Sequence, residues 1–290
     1  METKFLETFL AVVKAGSIAG AARNLDLAPT TITQQMKALE KATGCALLVR
    51  SGHTVGPTSA GYRILERAHH LVRDAQDLCI IAGTHALPPG PLRLGAMHSA
   101  LTRLLPGALK DWNKLYPDIG IFIQPGDSIP LLHLVAKGDI DAAIIGDPLF
   151  KIPKTCDWHM LREEELVLIT PEDMQVTNPL EIIKNKIFIR SDRSYMVGKL
   201  VDGFLQLHHI SPRSQFELDG IEAITHFVRM GLGVSILPRG PRGSDHEAGV
   251  RYWTLPDPVP RRKIGFVTAR ASVHLPLASE MLGILKKLEE

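Results

Sequence analysis

Residues 17–50 constrain the fold of this chain more than any other stretch. Small apolar residues dominate 17–24, a short turn follows at 26–29, and an amphipathic segment runs over 29–42. The apolar positions of that last segment recur at spacings of four and three: Ile32, Met36 and Leu39. Apolar residues at this period share one face of a helix. The stretch therefore predicts two helices joined by a tight turn, the outline of a helix-turn-helix.

Flanking segments complete a small domain around this motif. Apolar residues at helical spacing precede it, and Gly16 is placed to end that first helix. Gly44 is placed to end the last helix in the same way. Residues 47–55 then read as two short strands joined by a turn at 51–53. We therefore expect three helices followed by a β-hairpin.

The outward face of the third helix is polar. It carries Thr30, Thr33, Gln34 and Lys37. Such a face can simply be solvated, and on this helix alone that interpretation stays open. Threonine and glutamine side chains can, however, bond phosphates or base edges of DNA. Arg50 and His53 stand where the hairpin could touch the DNA backbone or minor groove.

A heptad-like pattern follows from Thr58. Six apolar residues fall at alternating spacings of four and three: Ile64, Ala68, Leu71, Ala75, Leu78 and Ala82. This seam is typical of a helix that pairs with a copy of itself, although a helix packed on its own domain gives the same pattern. We favour a dimer seam, because no neighbouring segment is expected to cover it. The proline-rich segment 87–91 ends the helix and predicts a hinge.

Charge and cysteine content narrow the class of protein. Residues 1–87 hold nine Lys/Arg and seven Asp/Glu, whereas the rest of the chain holds 24 of each, so the basic excess is confined to the N-terminal segment. The start lacks a secretory signal pattern, and no apolar run reaches the roughly 18 residues that span a bilayer. The three cysteines are far apart and lack metal-ligand spacing, which predicts a reduced cytoplasmic protein.

From residue 92 onward, strand-like and helix-like segments alternate. Strand-like runs at 92–94, 119–123 and 139–145 are separated by helical patterns, and a second set of such runs follows from 165. Alternation of this kind predicts a mostly parallel sheet with helices on both faces. The larger part of the chain is therefore expected to be an α/β domain.

The chain resembles the LysR-type transcriptional regulators. The resemblance rests on AARNLDLAPTTITQQMKALEKATGCALLVR and PTSAGYRIL near the start, and on KGDIDAAIIG and GIEAITHFVRMGLGVSILP later. It implies an α/β chain with an N-terminal winged helix-turn-helix, a long linker helix and a two-lobed effector domain like that of periplasmic solute-binding proteins. The implied bounds are 1–57 for the winged domain, 58–87 for the linker (dimerisation) helix, 88–160 with 268–290 for lobe one, and 161–267 for lobe two.

The resemblance also implies which residues contact DNA. They are Thr30, Thr31, Thr33, Gln34, Lys37, Arg50 and His53. Gln34 and His53 depart from the family pattern, since both positions usually carry Arg. The loss of two fixed positive charges predicts weaker anchoring to phosphates and a weaker dependence of DNA affinity on salt.

A candidate ligand cleft follows from the strand ends. In open α/β sheets, ligands bind beyond the carboxyl ends of strands, next to helix N-termini. His98 and Ser99 start the helix after the first strand, a position that favours an anionic group such as a carboxylate. Asp127 either caps its helix or faces the cleft, where it would favour a ligand with an amino or hydroxyl group. The candidate effector-binding residues are His98, Ser99, Gly126, Asp127, Gly146, Ser191 and Tyr195.

No catalytic motif competes with this interpretation. The sequence holds no GxSxG, no GxxxxGKS or GxxxxGKT, and no HExxH, so neither an enzyme nor a metal or cofactor is expected.

The expected partners are double-stranded DNA with an interrupted palindromic site, a small-molecule effector, and further copies of the chain. We expect these copies to form a homodimer through the linker helix; a homotetramer is expected from two such dimers, but the sequence leaves dimer and tetramer both open. No membrane partner is expected. The alternative is a cytoplasmic small-molecule-binding protein whose DNA-binding segment is degenerate.

Overall fold

The computed structural model describes residues 2–52, 54–83, 87–88, 90–147, 151–239 and 246–289. Its contacts divide the chain into two units, residues 1–86 and 87–290. Each unit has hydrophobic cores of its own. Along the described helices, no stretch combines the length and the apolar character that crossing a bilayer requires.

The described part of the N-terminal unit follows the predicted order of helices and hairpin. Its elements are α1 (Thr3–Ala15), α2 (Ile18–Leu25), α3 (Pro29–Thr43), β1 (Leu48–Ser51), β2 (Thr54–Pro57) and α4 (Ser59–Ala82). Gly16 and Gly44 follow α1 and α3 with positive φ, a backbone conformation that favours glycine. The Ser17 hydroxyl caps α2 by accepting a hydrogen bond of 3.0 Å from the Gly20 N–H.

The predicted dimer seam on α4 is only partly free. Ile64 and Ala68 pack into the core of their own unit, together with Phe9 of α1. The expectation that no neighbouring segment covers this half of the helix is therefore wrong, because α1 lies against it. Leu71 and Leu78 are exposed, so only the C-terminal half of the seam is open to a partner.

Lobe one of the C-terminal unit is built on a mixed sheet. β3 (Leu92–Ala96) lies between β4 (Ile121–Pro125) and β5 (Ala142–Gly146), and these three strands are parallel. β12 (Arg261–Ala269) pairs antiparallel with β5, and β6 (Cys156–Pro171) pairs antiparallel with β12. The expectation of a mostly parallel sheet is thus only partly right, because the chain leaves and re-enters the lobe through antiparallel strands.

Helices cover both faces of this sheet. They are α5 (His98–Arg103), α6 (Leu105–Leu115), α7 (Ser128–Lys137) and α11 (Leu275–Glu289). Alternate residues of β5 enter different cores: Ala142 and Ile144 pack with α6 and α11, whereas Ala143 and Ile145 pack with α7. A strand buried on both faces needs apolar residues at successive positions, which explains the unbroken apolar run of β5.

β6 is 16 residues long and carries the chain from lobe one into lobe two. Its residues 156–165 pair with β12, and its residues 166–171 pair with β9 (Ser235–Pro238) and β11 (Val250–Thr254). The remaining elements of lobe two are α8 (Pro179–Asn185), β7 (Phe188–Ser191), α9 (Met196–Leu207), β8 (Ser214–Leu218), α10 (Ile221–Arg229) and β10 (His246–Glu247).

The crossings between lobes are shifted from their expected positions. Leu161 packs in lobe one, whereas Leu166 begins the core of lobe two. On the return, Ile264 and Val267 already pack in the cores of lobe one. The second crossing therefore falls several residues before the expected boundary at 267, because β12 is paired with β5 from Ile264 onward.

Candidate functional site

α3 presents a polar face to solvent. Its exposed side chains are Thr30, Thr33, Gln34 and Lys37, with Thr31 half-buried beside them. The opposite face is buried in the core of the unit through Ile32, Met36 and Leu39. The Thr33 hydroxyl donates a hydrogen bond of 2.9 Å to the Pro29 carbonyl, so Thr33 offers acceptor lone pairs and a methyl group outward. The structure thus brings the predicted residues of α3 together on one surface.

Glu40, the one acidic residue in the sequence of α3, is turned toward the hairpin. Its Oε1 accepts hydrogen bonds from the backbone N–H groups of Leu47 at 2.8 Å and Leu48 at 3.2 Å. The carboxylate therefore holds the entry to the hairpin. The exposed charged side chains of α3 are then those of Lys37 and Lys41, a surface that suits a polyanion.

The hairpin lies beside the C-terminal end of α1. Its strands pair antiparallel, and the Val55 N–H donates a hydrogen bond of 2.8 Å to the Gly16 carbonyl. Arg50 is exposed on β1 and forms no ion pair with any described residue, so its guanidinium is available to a phosphate. His53, which was also predicted to contact DNA, lies outside the described residues.

Residues at the start of α4 also hold the hairpin in place. The Thr58 hydroxyl donates a hydrogen bond of 2.8 Å to the Ala46 carbonyl and accepts one of 3.1 Å from the Gly61 N–H. A Cβ at position 61 would collide with the Leu47 carbonyl oxygen. Thr58 and Gly61 therefore fix the position of the hairpin relative to α4, and glycine permits this close approach.

A cavity of about 480 Å³ lies between the two lobes of the C-terminal unit. Its walls are residues 97–99, 127–130 and 146–147 of lobe one, Ser191, residues 194–197, Lys199 and residues 219–221 of lobe two, and Arg262. Of the predicted ligand-binding residues, Gly126 does not line it, because its N–H bonds the Ala96 carbonyl and it packs near Leu131. A cavity of this size suits a small organic molecule.

Asp127 faces the cavity rather than capping α7. Its side chain makes no capping hydrogen bond, and its Oδ2 accepts one of 3.4 Å from the Tyr195 hydroxyl. Tyr195 belongs to lobe two, so this bond crosses the cavity. Asp127 first, and then Asp219, raise the pKa of Tyr195, because a phenolate beside carboxylates is disfavoured.

Arg262 is a buried cation in the cavity wall, with 7% of its surface exposed. Its Nε donates a hydrogen bond of 2.6 Å to Glu164 Oε2, and its Nη2 donates one of 3.3 Å to Ser99 Oγ. Burial lowers the pKa of Arg262, and the Glu164 carboxylate opposes that shift. Arg162 donates to the other oxygen of Glu164. The guanidinium is thus held in one place beside Ser99.

The described residues do not bring together three His, Cys, Asp or Glu side chains that could hold a metal ion. The polar side chains of the cavity are instead hydroxyls, carboxylates, two cations and the imidazole of His98. Ser128 accepts a hydrogen bond of 3.0 Å from the Gly146 N–H, which fixes the lobe-one wall. This arrangement can bind and orient a polar molecule through charge and hydrogen bonds.

Two family models cover nearly the whole chain. The model described as LysR substrate binding domain matches residues 85–289, and the model described as bacterial regulatory helix-turn-helix protein, lysR family, matches residues 3–62. The chain belongs to the LysR family of transcriptional regulators. The DNA-binding domain and the effector-binding domain implied by the sequence resemblance are thereby confirmed.

This LysR regulator is similar to known proteins along most of its length. The HTH-type transcriptional regulator GltR of Bacillus subtilis is 25% identical over 97% of this chain and 95% of its own length. A probable RuBisCO transcriptional regulator of Cyanidioschyzon merolae is 30% identical over 80% of each chain.

The LysR fold extends over the full chain in solved structures. Full-length CbnR complexed with its target DNA has a TM-score of 0.70 at 19% identity, covering 100% of both chains. A full-length OxyR variant from Pseudomonas aeruginosa has a TM-score of 0.69 at 24% identity, covering 99% of this chain and 95% of that chain. The expected fold class, a winged helix-turn-helix followed by a two-lobed α/β domain, is confirmed.

Sequence reasoning missed Arg262 in the cavity of this LysR regulator. The residue lies in a charged segment where the family resemblance is weakest, and only strand pairing shows where its side chain lies. Residues 261–263 pair in antiparallel register with residues 165–163, so RRK faces EEE. Because side chains alternate along a strand, Arg262 is buried whereas Arg261 and Lys263 are exposed. The signal for this pairing in the sequence was the presence of two runs of opposite charge, RRK and EEE.

Proposed function

We propose that this regulator binds DNA through α3 and the hairpin, and that a small molecule in the cavity changes this binding. The observation that carries the first part is the exposed face of α3, which is polar and basic because Glu40 is turned toward the hairpin. In a winged helix-turn-helix, the second helix of the motif reaches base edges in the major groove. The residues assigned to DNA contact are Thr30, Thr31, Thr33, Gln34, Lys37, Arg50 and His53.

Dimerisation is assigned to the open half of the α4 seam. The seam residues Leu71 and Leu78 are exposed, Leu78 to 66%, and pairing two such helices about a two-fold axis would cover them. A two-fold dimer presents two copies of α3 to the same side of DNA, so the target is an interrupted palindrome. Two such dimers then assemble into a homotetramer. CbnR, which shares the fold, is described in complex with its target DNA.

The effector site is assigned to the cavity between the lobes. Six of the seven predicted residues line it: His98, Ser99, Asp127, Gly146, Ser191 and Tyr195. Both lobes contribute walls, so a bound molecule favours one arrangement of the lobes over others. Couplings of this kind are typically about 1–3 kcal/mol, which changes promoter occupancy several-fold. The role of the cavity is binding rather than catalysis, and the regulator acts in the cytoplasm, where its DNA target lies.

Selection of genomic fragments by the purified protein at near-physiological salt tests the DNA assignment. We expect the intact protein to enrich a short interrupted palindrome, and Gln34→Ala/Lys37→Ala to lose most of that enrichment. The matched control is Gln206→Ala/Lys110→Ala, which removes the same two side-chain types from exposed helix positions in the other unit. Equal enrichment by both double variants would contradict the role of α3.

A further inference from the structure

Charge is distributed unevenly over the cavity wall. Three carboxylates line it: Asp127, Asp147 and Asp219. The lining cations are Lys199 and Arg262, and Arg262 is already paired with Glu164 at 2.6 Å. Negative charge therefore exceeds positive charge around the cavity, and a ligand that carries only negative charge is disfavoured.

Two of these carboxylates, Asp127 and Asp219, act on the hydroxyl of Tyr195. Asp127 is half-buried, and its side chain has one hydrogen bond to the described residues, the long contact of 3.4 Å from Tyr195. Asp219 acts on the same hydroxyl, since it also raises the pKa of Tyr195. An ionised carboxylate has about four acceptor sites, and an ammonium group carries three donors. The surroundings of Tyr195 therefore suit a protonated amine.

Hydrogen-bond donors occupy the buried part of the wall. Ser99, Ser191 and Arg262 are each more than nine-tenths buried and line the cavity. The Ser191 hydroxyl, with only 5% of the residue exposed, makes no hydrogen bond to any residue in the described part of the chain. Because Ser191 lines the cavity, its hydroxyl is free to donate to an acceptor supplied by a ligand. A carboxylate provides such an acceptor.

We propose that the effector is a small zwitterion, one of the standard amino acids. Its ammonium group binds at Asp127 and Asp219, and its carboxylate binds at Ser99, Ser191 and Arg262. A dicarboxylate would instead bring its second negative charge against Asp127. This inference rests on the proposed effector role of the cavity and adds a chemical class to it.

The test measures binding of the twenty standard amino acids to the full-length protein, one at a time, by thermal shift and then by calorimetry. Each amino acid that binds is compared with its des-amino carboxylic acid and its decarboxylated amine. We expect each truncated compound to bind at least about tenfold more weakly, the factor that 1.4 kcal/mol of lost binding free energy gives. Equal binding of either truncated compound, or no binding by any amino acid, rejects a zwitterionic effector.

Two variants test whether the ammonium group of the ligand binds at Asp127. Asp127→Asn keeps the shape of the side chain and removes its charge. It should therefore weaken binding of the amino acid by about tenfold or more, whereas the des-amino acid should bind as tightly as before or more tightly. Asp173→Asn is the matched control, since Asp173 is exposed and lies outside the cavity, and it should change neither. Equal weakening of both compounds by Asp127→Asn would overturn the placement of the amine.

Different results would reject the chemical class of the effector and the regulatory role of the cavity. If succinate or benzoate binds and changes DNA affinity while no amino acid binds, the zwitterion is rejected and the effector role stands. If an amino acid binds, loses affinity in Asp127→Asn, and leaves DNA affinity unchanged, the zwitterion stands and the regulatory role is rejected. DNA affinity is measured on the fragment that the intact protein enriches most.

Discussion

Gln34 lies on the exposed face of α3 between Thr33 and the charged end of the helix. Its amide can bond a base edge, but it adds no positive charge to the surface proposed to meet the phosphates. Glu40, only six residues later in the sequence, adds no negative charge to that surface either, because its carboxylate is bonded to the hairpin backbone. The charge of the proposed DNA-facing surface is thus set by very few side chains, and one substitution should change it measurably.

Gln34→Arg should tighten DNA binding and make it more sensitive to salt. One added phosphate contact increases the slope of log affinity against log salt by about 0.9 in magnitude. The measurement is a fluorescence anisotropy titration on one DNA fragment at several salt concentrations. Gln206→Arg, an exposed position in the other unit, is the control. An unchanged slope in Gln34→Arg would show that this position does not lie near a phosphate.

Arg262 and Arg261 are adjacent arginines whose loss should have very different costs. Arg262→Met leaves the buried carboxylate of Glu164 with one partner fewer, and breaking a buried pair in this way costs roughly 3 kcal/mol. Arg261 is about half exposed and pairs with Glu163 and Glu165 at the surface, so Arg261→Met should cost less than about 1 kcal/mol. Urea unfolding curves of both variants test this contrast, and equal losses would refute it.

At the scale of elements, α3 and β6 show what the sequence could and could not reveal. Pro29 and Gly44 are local signals at the two ends of α3, and the helix runs from Pro29 to Thr43. β6 begins at Cys156, but only its apolar end, from 165 onward, was predicted. Its first part contains REEE, a composition that strands disfavour. That part is a strand because RRK of β12 pairs with it, which is tertiary information.

The exposed half of the α4 seam should control the oligomeric state. Leu71→Glu/Leu78→Glu places two charges in the proposed helix–helix contact, so we expect monomers in analytical ultracentrifugation. Monomers should also lose most of their affinity for a palindrome, because each half-site then binds alone. His69→Glu/Gln76→Glu is the control, since both residues are exposed and lie about 160° around the helix from Leu71 and Leu78, respectively. A Leu71/Leu78 variant that remains dimeric would place the interface elsewhere.

At the scale of the whole molecule, the cavity combines local and distant contributions. Ser99, Asp127, Gly146 and Ser191 lie at or just after strand ends, and a general rule for α/β sheets was enough to predict them. Asp219 directly follows β8, and the same rule applied to that strand would have found it. Lys199 and Arg262 lie within a helix and a strand, where no local pattern marks a ligand site. Their place in the wall follows only from how the two lobes pack.

The C-terminal unit should fold without the N-terminal unit. Its cores are formed by residues from Leu87 onward, so a fragment of residues 87–290 keeps every side chain that packs in them. We expect this fragment to unfold cooperatively in urea, to bind the same small molecules as the intact chain, and to have no affinity for DNA. Non-cooperative unfolding, or loss of ligand binding, would show that the N-terminal unit contributes to the fold or to the cavity.

β6 and β12 are hydrogen-bonded to each other along the passage between the lobes, and their register shifts once, between Ile264 and Gly265. Lobes joined by such a ladder cannot separate or slide past each other without breaking several of its bonds, whereas twisting the sheet preserves them. Relative movement of the lobes is therefore reduced to very few degrees of freedom, close to a single rotation. A bound molecule then selects mainly one angle between the two lobes.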